Sequence, residues 1–156
     1  MTAGPKSAER DDDLRRIERT IAKHGVAVAS RPPRPGCSAA YAYTVGLTAH
    51  RHPELLIFGI PSPTAHTTLN WLARQVIHDG ATIGAGSRQN VLGSRTPVTV
   101  VNADHALAAD YVTVPYVLYG SAHVSVRQVC YPDARGRYQW QDGSNLRRLP
   151  LLTVAP

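Results

Sequence analysis

A short link between two apolar runs holds the residues best suited to chemistry. It contains His50, Arg51, His52 and Glu54, and the apolar runs at residues 41–47 and 55–60 flank it. If the chain stays extended there, the side chains at positions 50, 52 and 54 share one face. Two imidazoles and a carboxylate on one face can bind a metal or act as general acid and base. We call this link the 50–54 corner.

Three interpretations of the 50–54 corner remain open. The two histidines could be metal ligands, but no distant residue completes a set, so the sequence predicts neither a metal nor another cofactor. His52 and Glu54 are the candidate catalytic residues, acting as an acid–base pair. Pro53 interrupts the spacing and holds His52 in an extended geometry. The favoured interpretation is structural, because buried polar groups at such a turn normally satisfy backbone groups.

A wider set of side chains is predicted to contact a ligand. The hydroxyl of Tyr43 could enter a pocket above the sheet, although a core tyrosine is the favoured interpretation. Trp140 belongs to a polar and aromatic group near the C-terminus, most of which is explained by a turn. The candidate ligand-binding residues are Tyr43, Thr44, His50, Arg51 and Trp140.

Two strands are predicted to position the corner. Residues 39–47 alternate by size, with tyrosine and valine on one face and alanine, threonine and glycine on the other. The small-residue face predicts the close approach of a packed helix, in preference to a ligand. Residues 55–60 are apolar on both faces, which is typical of a central strand covered on both sides.

Two helices are predicted to cover this sheet. The first runs from about Asp12 to His24, with aspartates suited to its start and Gly25 suited to its end. Leucine and isoleucine form its apolar stripe. Its opposite face is basic and carries Arg15, Arg19 and Lys23.

The second predicted helix begins at Ser62 and closes at Gly80, with one apolar face. Its opposite stripe repeats every four residues and is interpreted as a solvent face. The two histidines of this stripe are about 18 Å apart along the helix, so they cannot share one metal. The stripe consists of His66, Asn70, Arg74 and His78.

The rest of the pattern completes an α+β fold. Residues 132–136 predict a turn, followed by a hairpin partner at 137–140. Pro115 leaves the conformation of residues 104–120 open. We expect one α+β domain over residues 12–156 after a disordered lead-in at 1–11, with a mixed, largely antiparallel sheet of about five or six strands and two or three packed helices. Further strands are predicted at 26–30, 97–101 and 124–131.

Composition limits the compartment and the partners. Only two cysteines occur, and neither has a partner nearby in sequence, which predicts a reducing cytoplasm. No apolar run approaches the roughly 20 residues that span a membrane, and the polar start predicts no signal peptide. The net charge of +6 suggests nucleic acid. A basic cluster interleaved with aromatic residues is missing, so a solvated face is favoured.

Three segments together resemble a bacterial family. They are HGVAV at 24–28, then YAYTVGL at 41–47 with HPELLIFGIP at 52–61, then QVxxPDxxGRYxW at 128–140. Their order and spacing are similar to those of the family known as domain of unknown function 4262. The chain lacks the cysteine-containing N-terminal tail of many relatives. The resemblance covers most of residues 12–152 and implies a single domain built around the central motif, but no activity.

Three functional hypotheses follow. The first is a non-catalytic cytoplasmic module that binds a small molecule or a protein partner at the 50–54 corner. The second is a small hydrolase-like enzyme that uses His52 and Glu54 as acid–base groups. The third is a nucleic-acid-associated protein that uses Arg15, Arg19 and Lys23. A homodimer is compatible with each. A pocket joining the two catalytic candidates favours the second hypothesis, and a concave surface beside the corner favours the first.

Overall fold

The apolar run after the corner forms β3 (Glu54–Phe58) of a six-stranded sheet, in a computed structural model that describes residues 4–152. All five residues of β3 are buried. Its neighbours are β2 (Tyr41–Val45), which runs antiparallel, and β6 (Val126–Cys130), which runs parallel. The prediction of a central strand covered on both faces is confirmed.

The other three strands extend the sheet on both sides. In order across the sheet the strands are β1, β2, β3, β6, β5 and β4. Every neighbouring pair is antiparallel except β3 and β6. This confirms the predicted α+β class with a mixed, largely antiparallel sheet. The added strands are β1 (Ala27–Arg31), β4 (Arg88–Gln89) and β5 (Val98–Asn102).

Helices cover both faces of the sheet. One face packs on α2, whose buried Leu69, Leu72 and Val76 share a core cluster with Leu55 and Ile57 of β3. The other face packs on the remaining helices. None of the helices in the described part of the chain is long and apolar enough to cross a membrane. The helices are α1 (Pro5–His24), α2 (Ser62–Asp79), α3 (His105–Ala109) and α4 (Thr113–Tyr119).

The two faces of β2 differ as predicted. Ala42 lies in the core cluster that contains the apolar face of α2. Tyr41 and Tyr43 point the other way, into the cluster that contains Ile17 of α1. Small side chains on the first face let α2 approach the sheet closely, so a helix, rather than a ligand, occupies that space.

Helix α1 starts earlier than predicted. It begins at Pro5 rather than about Asp12, so residues 5–11 are helical where a disordered lead-in was predicted. Gly4 is extended before the first turn, and proline suits that turn because its missing N–H would have no helical partner. The aspartates therefore lie inside the helix, where Asp12 and Asp13 face arginines three residues on. Residues 1–3 lie outside the described residues.

The predicted hairpin at 137–140 is wrong. The turn at 132–136 does form, since Asp133 N–H bonds to the carbonyl of Arg137 and Gly136 N–H bonds to that of Asp133. Up to residue 152, however, no strand follows it, because both edges of β6 are already paired, with β3 on one side and β5 on the other. The C-terminal segment instead packs on the body, with Leu152 N–H donating to the side chain of Gln128.

Residues 104–120 form two short helices, α3 and α4. Asp104 caps α3 by accepting a hydrogen bond from Leu107 N–H. Pro115 is the third residue of α4. Proline is tolerated in a first turn, where backbone N–H groups have no helical acceptor, so it does not interrupt the helix.

Candidate functional site

Glu54 is fully buried and holds the loop that precedes β3. Its Oε1 accepts the backbone N–H of Leu47 at 3.0 Å, and its Oε2 accepts those of Gly46 at 3.3 Å and Thr48 at 3.0 Å. The hydroxyls of Thr44 and Thr48 donate to the same carboxylate. Both oxygens are thus occupied by donors from the protein itself.

The loop held by Glu54 lies against the end of α1. Gly46 has a positive φ of 127°, and a Cβ atom there would stand 2.7 Å from the carbonyl oxygen of Gly25. Only glycine fits this close approach without a shift of the backbone. Burial raises the pKa of Glu54 above its ordinary value, while the hydrogen bonds from Thr48, Thr44 and Leu47 favour the carboxylate and oppose that shift.

His52 is buried and ties the corner to a distant loop. Its Nδ1 lies 2.7 Å from the carbonyl oxygen of Pro53, and its Nε2 accepts the backbone N–H of Ile83 at 2.9 Å. A single neutral tautomer with the proton on Nδ1 satisfies both partners. Burial lowers the pKa of His52, the hydrogen bond to the Pro53 carbonyl opposes that shift, and the nearby charge of Arg127 adds to it. His52 and Glu54 therefore hydrogen-bond different partners.

Two predicted ligand contacts, Tyr43 and Thr44, are fully buried in β2. Thr44 donates its hydroxyl to Glu54 and accepts the backbone N–H of Leu55 at 2.9 Å. The ring of Tyr43 packs in the core with the guanidinium of Arg31 5.7 Å from its centroid. Both side chains therefore have internal roles in this structure.

Trp140 lies in a different part of the core from the corner. It is half-buried and stacks on Tyr138, with ring centroids 5.1 Å apart. Together they pack against Val101 and Cys130. Burial raises the pKa of the Cys130 thiol to about 12, so this cysteine is not a ready nucleophile.

The exposed members of the corner are His50 and Arg51. His50 closes a 3₁₀ turn (Leu47–His50), and Arg51 follows it in the left-handed region, with φ of 58°. The imidazole of His50 turns towards α1 and α2. Its Nε2 and the Cδ1 of Ile77 lie 3.7 and 3.4 Å from the position a Cβ would take on Gly25. The exposed side of the corner therefore adjoins the space between the two helices.

That space is a groove of about 510 Å³ at the edge of the sheet. The helices α1 and α2 cover opposite faces of the sheet, and both contact β1, the strand at this edge. Arginine, histidine, asparagine and threonine side chains form its walls, and valine and isoleucine its apolar part. The described lining contains no carboxylate. We call it the α1–α2 groove; its lining residues are Thr20, His24, Val26, Asn70, Arg74, Ile77 and His78.

Three of these groove residues, Asn70, Arg74 and His78, belong to the stripe that was interpreted from the sequence as a solvent face. The spacing of Asn70, Arg74 and His78 gave one stripe, and Thr20 and His24 are likewise four residues apart. Each stripe is visible in the sequence, because residues four apart share a helix face. Their convergence on one groove depends on how the two helices cross the sheet edge, which the sequence pattern does not contain.

Other concave regions are less suited to a ligand. A cleft of about 750 Å³ between α1 and α4 has walls of both charges, and two of its lining residues, Arg31 and Asp13, are paired with each other at 2.9 Å. A cavity of about 50 Å³ beside the carboxyl ends of β3 and β6 is closed by the C-terminal segment. Within residues 4–152, no three His, Cys, Asp or Glu side chains form a metal-binding group.

The fold and the site together define a class of protein. It is an α+β protein whose buried His52 and Glu54 are hydrogen-bonded within the protein, beside an open groove whose described lining holds no carboxylate. The chain matches the family model described as Domain of unknown function (DUF4262) over residues 20–145, and it belongs to that family. Searches of curated proteins and of solved structures give no significant match.

Proposed function

We propose that the protein is a non-catalytic module that binds a small molecule in the α1–α2 groove, beside the exposed side of the 50–54 corner. The observation that carries this proposal is the groove itself. Its volume of about 510 Å³ is in the range of small-molecule sites. Such sites combine an apolar surface with a few converging polar groups, and here Val26 and Ile77 supply the former.

The arrangement of the corner supports a binding role over a hydrolytic one. A general acid–base pair needs atoms free to exchange protons with a substrate. Glu54 is fully buried, and five donors from the protein occupy its carboxylate. His52 uses both ring nitrogens to hold Pro53 and Ile83. Only His50 and Arg51 are left to meet a molecule from solvent, and His50 adjoins the groove.

Binding to nucleic acid through the arginine face of α1 stays a prediction. Arg15 is exposed and lies 3.7 Å from Asp12, and Arg16 pairs with Asp13. Aspartates placed beside arginines weaken the attraction of this face for phosphates. The groove, by contrast, brings side chains from two helices to one concave surface, and this favours the small-molecule proposal.

The test is to fill the groove and measure binding. A defined mixture of neutral, anionic and cationic metabolite-sized compounds is screened by ligand-observed NMR against the wild type and two tryptophan variants. Asn70→Trp fills the groove, whereas Thr67→Trp adds the same bulk at an exposed position of α2 outside the groove lining. We expect at least one compound to bind the wild type and Thr67→Trp but not Asn70→Trp.

Thr20→Trp blocks the same groove from α1 and guards against a folding defect in a single variant, with circular dichroism checking each fold. The proposal is wrong if no compound binds the wild type, or if binding survives both groove-filling substitutions unchanged.

A further inference from the structure

The groove lining has an unbalanced set of charges. Arg74 is exposed on the wall, and His24 and His78 line the same groove from the last turns of α1 and α2. All three are cationic or become so on protonation, and the described lining holds no aspartate or glutamate to oppose them. A positive concave surface with low-dielectric walls concentrates anions.

Within residues 4–152, no salt bridge neutralises the charge of Arg74. The salt bridges found in residues 4–152 are formed by Arg15, Arg16, Arg31 and Arg147, each with an aspartate. In the described part of the chain, Arg74 has no carboxylate within 4.0 Å. A guanidinium at the wall of a groove can offer two parallel N–H donors to a phosphate or carboxylate.

The neutral lining residues define the rest of the ligand. Asn70 and Thr20 can donate hydrogen bonds without adding charge, one from each wall. Val26 and Ile77 offer an apolar contact, which a small inorganic anion would not use. From Asn70 to His78 the wall rises about 12 Å along the helix axis. A matching ligand is therefore elongated and carries an organic part beside its anionic group.

We infer that the α1–α2 groove binds an organic anion, with its phosphate or carboxylate group at Arg74 and its organic part against Val26 and Ile77. This inference rests on the proposed function, since it names the ligand class of the same groove. It excludes neutral and cationic compounds as preferred ligands.

The test compares four probes at constant ionic strength, with calorimetry as the readout. AMP and citrate are the anions, adenosine is the neutral counterpart of AMP, and spermidine is the cation. We expect AMP, citrate or both to bind, and adenosine and spermidine to bind at least about tenfold more weakly. If AMP binds and citrate does not, the group at Arg74 is a phosphate. If citrate binds and AMP does not, it is a carboxylate.

Three single substitutions that remove one positive charge locate the anion. Arg74→Gln should weaken binding at least about tenfold, because charge-assisted hydrogen bonds to the ligand are lost. Arg148→Gln and Arg19→Gln change exposed arginines outside the groove lining, and each should change affinity less than about twofold to threefold.

The inference is overturned if neither anion binds, if adenosine binds as tightly as AMP, or if Arg148→Gln or Arg19→Gln matches the loss of Arg74→Gln. Groove-dependent binding of adenosine or spermidine that is as tight as that of the anions would overturn the anion assignment while leaving the proposed function intact. Binding that survives Asn70→Trp and Thr20→Trp would overturn both.

Discussion

The 50–54 corner and the α1–α2 groove both contain histidines and other polar side chains, but these side chains have different surroundings in the two regions. In the corner, Glu54 and His52 are buried and hydrogen-bonded to the protein itself. In the groove, Arg74 and His78 are exposed and face a concave surface that no described side chain fills. One region uses polar groups to fix the backbone, and the other leaves them available to solvent.

The difference shows what tight sequence spacing can mean. Glu54 stands close in sequence to the donors at 46–48 because it closes a local loop, and its carboxylate replaces the water those N–H groups would otherwise bind. The groove residues come from separate helices and form no compact motif. In this protein the local cluster of His52 and Glu54 fixes the backbone, whereas the open groove is lined by residues that are dispersed in the sequence.

The largest effect should follow from removing the carboxylate of the corner. Glu54→Ala leaves three backbone N–H groups and two hydroxyls without their acceptor in a buried loop. We expect the free energy of unfolding to fall by about 3–5 kcal/mol, because buried donors without a partner carry their full desolvation cost. Urea denaturation followed by circular dichroism measures this change.

Two further substitutions give reference values for the stability lost in Glu54→Ala. Glu18→Ala removes an exposed carboxylate from α1 and should change stability by less than about 0.5 kcal/mol. Glu54→Gln keeps the size but turns an N–H₂ group towards backbone donors, since both carboxylate oxygens accept backbone N–H groups. Its cost should lie between those of Glu18→Ala and Glu54→Ala. A Glu54→Ala protein as stable as the wild type would contradict the structural role.

The sequence predicted the centre of the sheet better than its connections. Continuous apolarity in residues 55–60 was enough to place β3 inside the sheet, and size alternation in β2 identified the face that α2 covers. The parallel pairing of β3 with β6 joins segments far apart in the chain, where no turn chemistry sets the register. The false hairpin arose because a local turn signal does not show that β6 already has two neighbours.

The second-largest loss of stability should follow from breaking the link between the corner and the loop at residues 81–83. His52→Ala removes the acceptor of Ile83 N–H and the donor to the Pro53 carbonyl. We expect a loss of about 1–3 kcal/mol at pH 8, the usual cost of leaving buried groups unpaired. His50→Ala, which changes the exposed histidine two residues away, is the matched control and should cost less than about 0.5 kcal/mol.

The pH dependence of the His52 effect has a defined sign. Burial lowers the pKa of His52 below its ordinary value of 6.5, so the unfolded chain takes up the proton before the folded protein does. The stabilisation is complete above about pH 6.5 and is lost as the pH falls towards the folded-state pKa. The gap between wild type and His52→Ala should therefore narrow on acidification. A gap that widens below pH 6.5 would contradict a neutral, buried His52.

The smallest change in stability should come from substitutions in the groove. This prediction distinguishes the groove from the 50–54 corner most clearly. Arg74 and His78 are exposed on α2, and Arg74 has no described salt-bridge partner. The double variant Arg74→Gln with His78→Gln should therefore change the free energy of unfolding by less than about 0.5 kcal/mol, because exposed substitutions without buried contacts cost little. If the same protein loses affinity for the anionic probes, stability and binding reside in different residues. A loss of more than about 1.5 kcal/mol would instead make the groove a structural element like the corner.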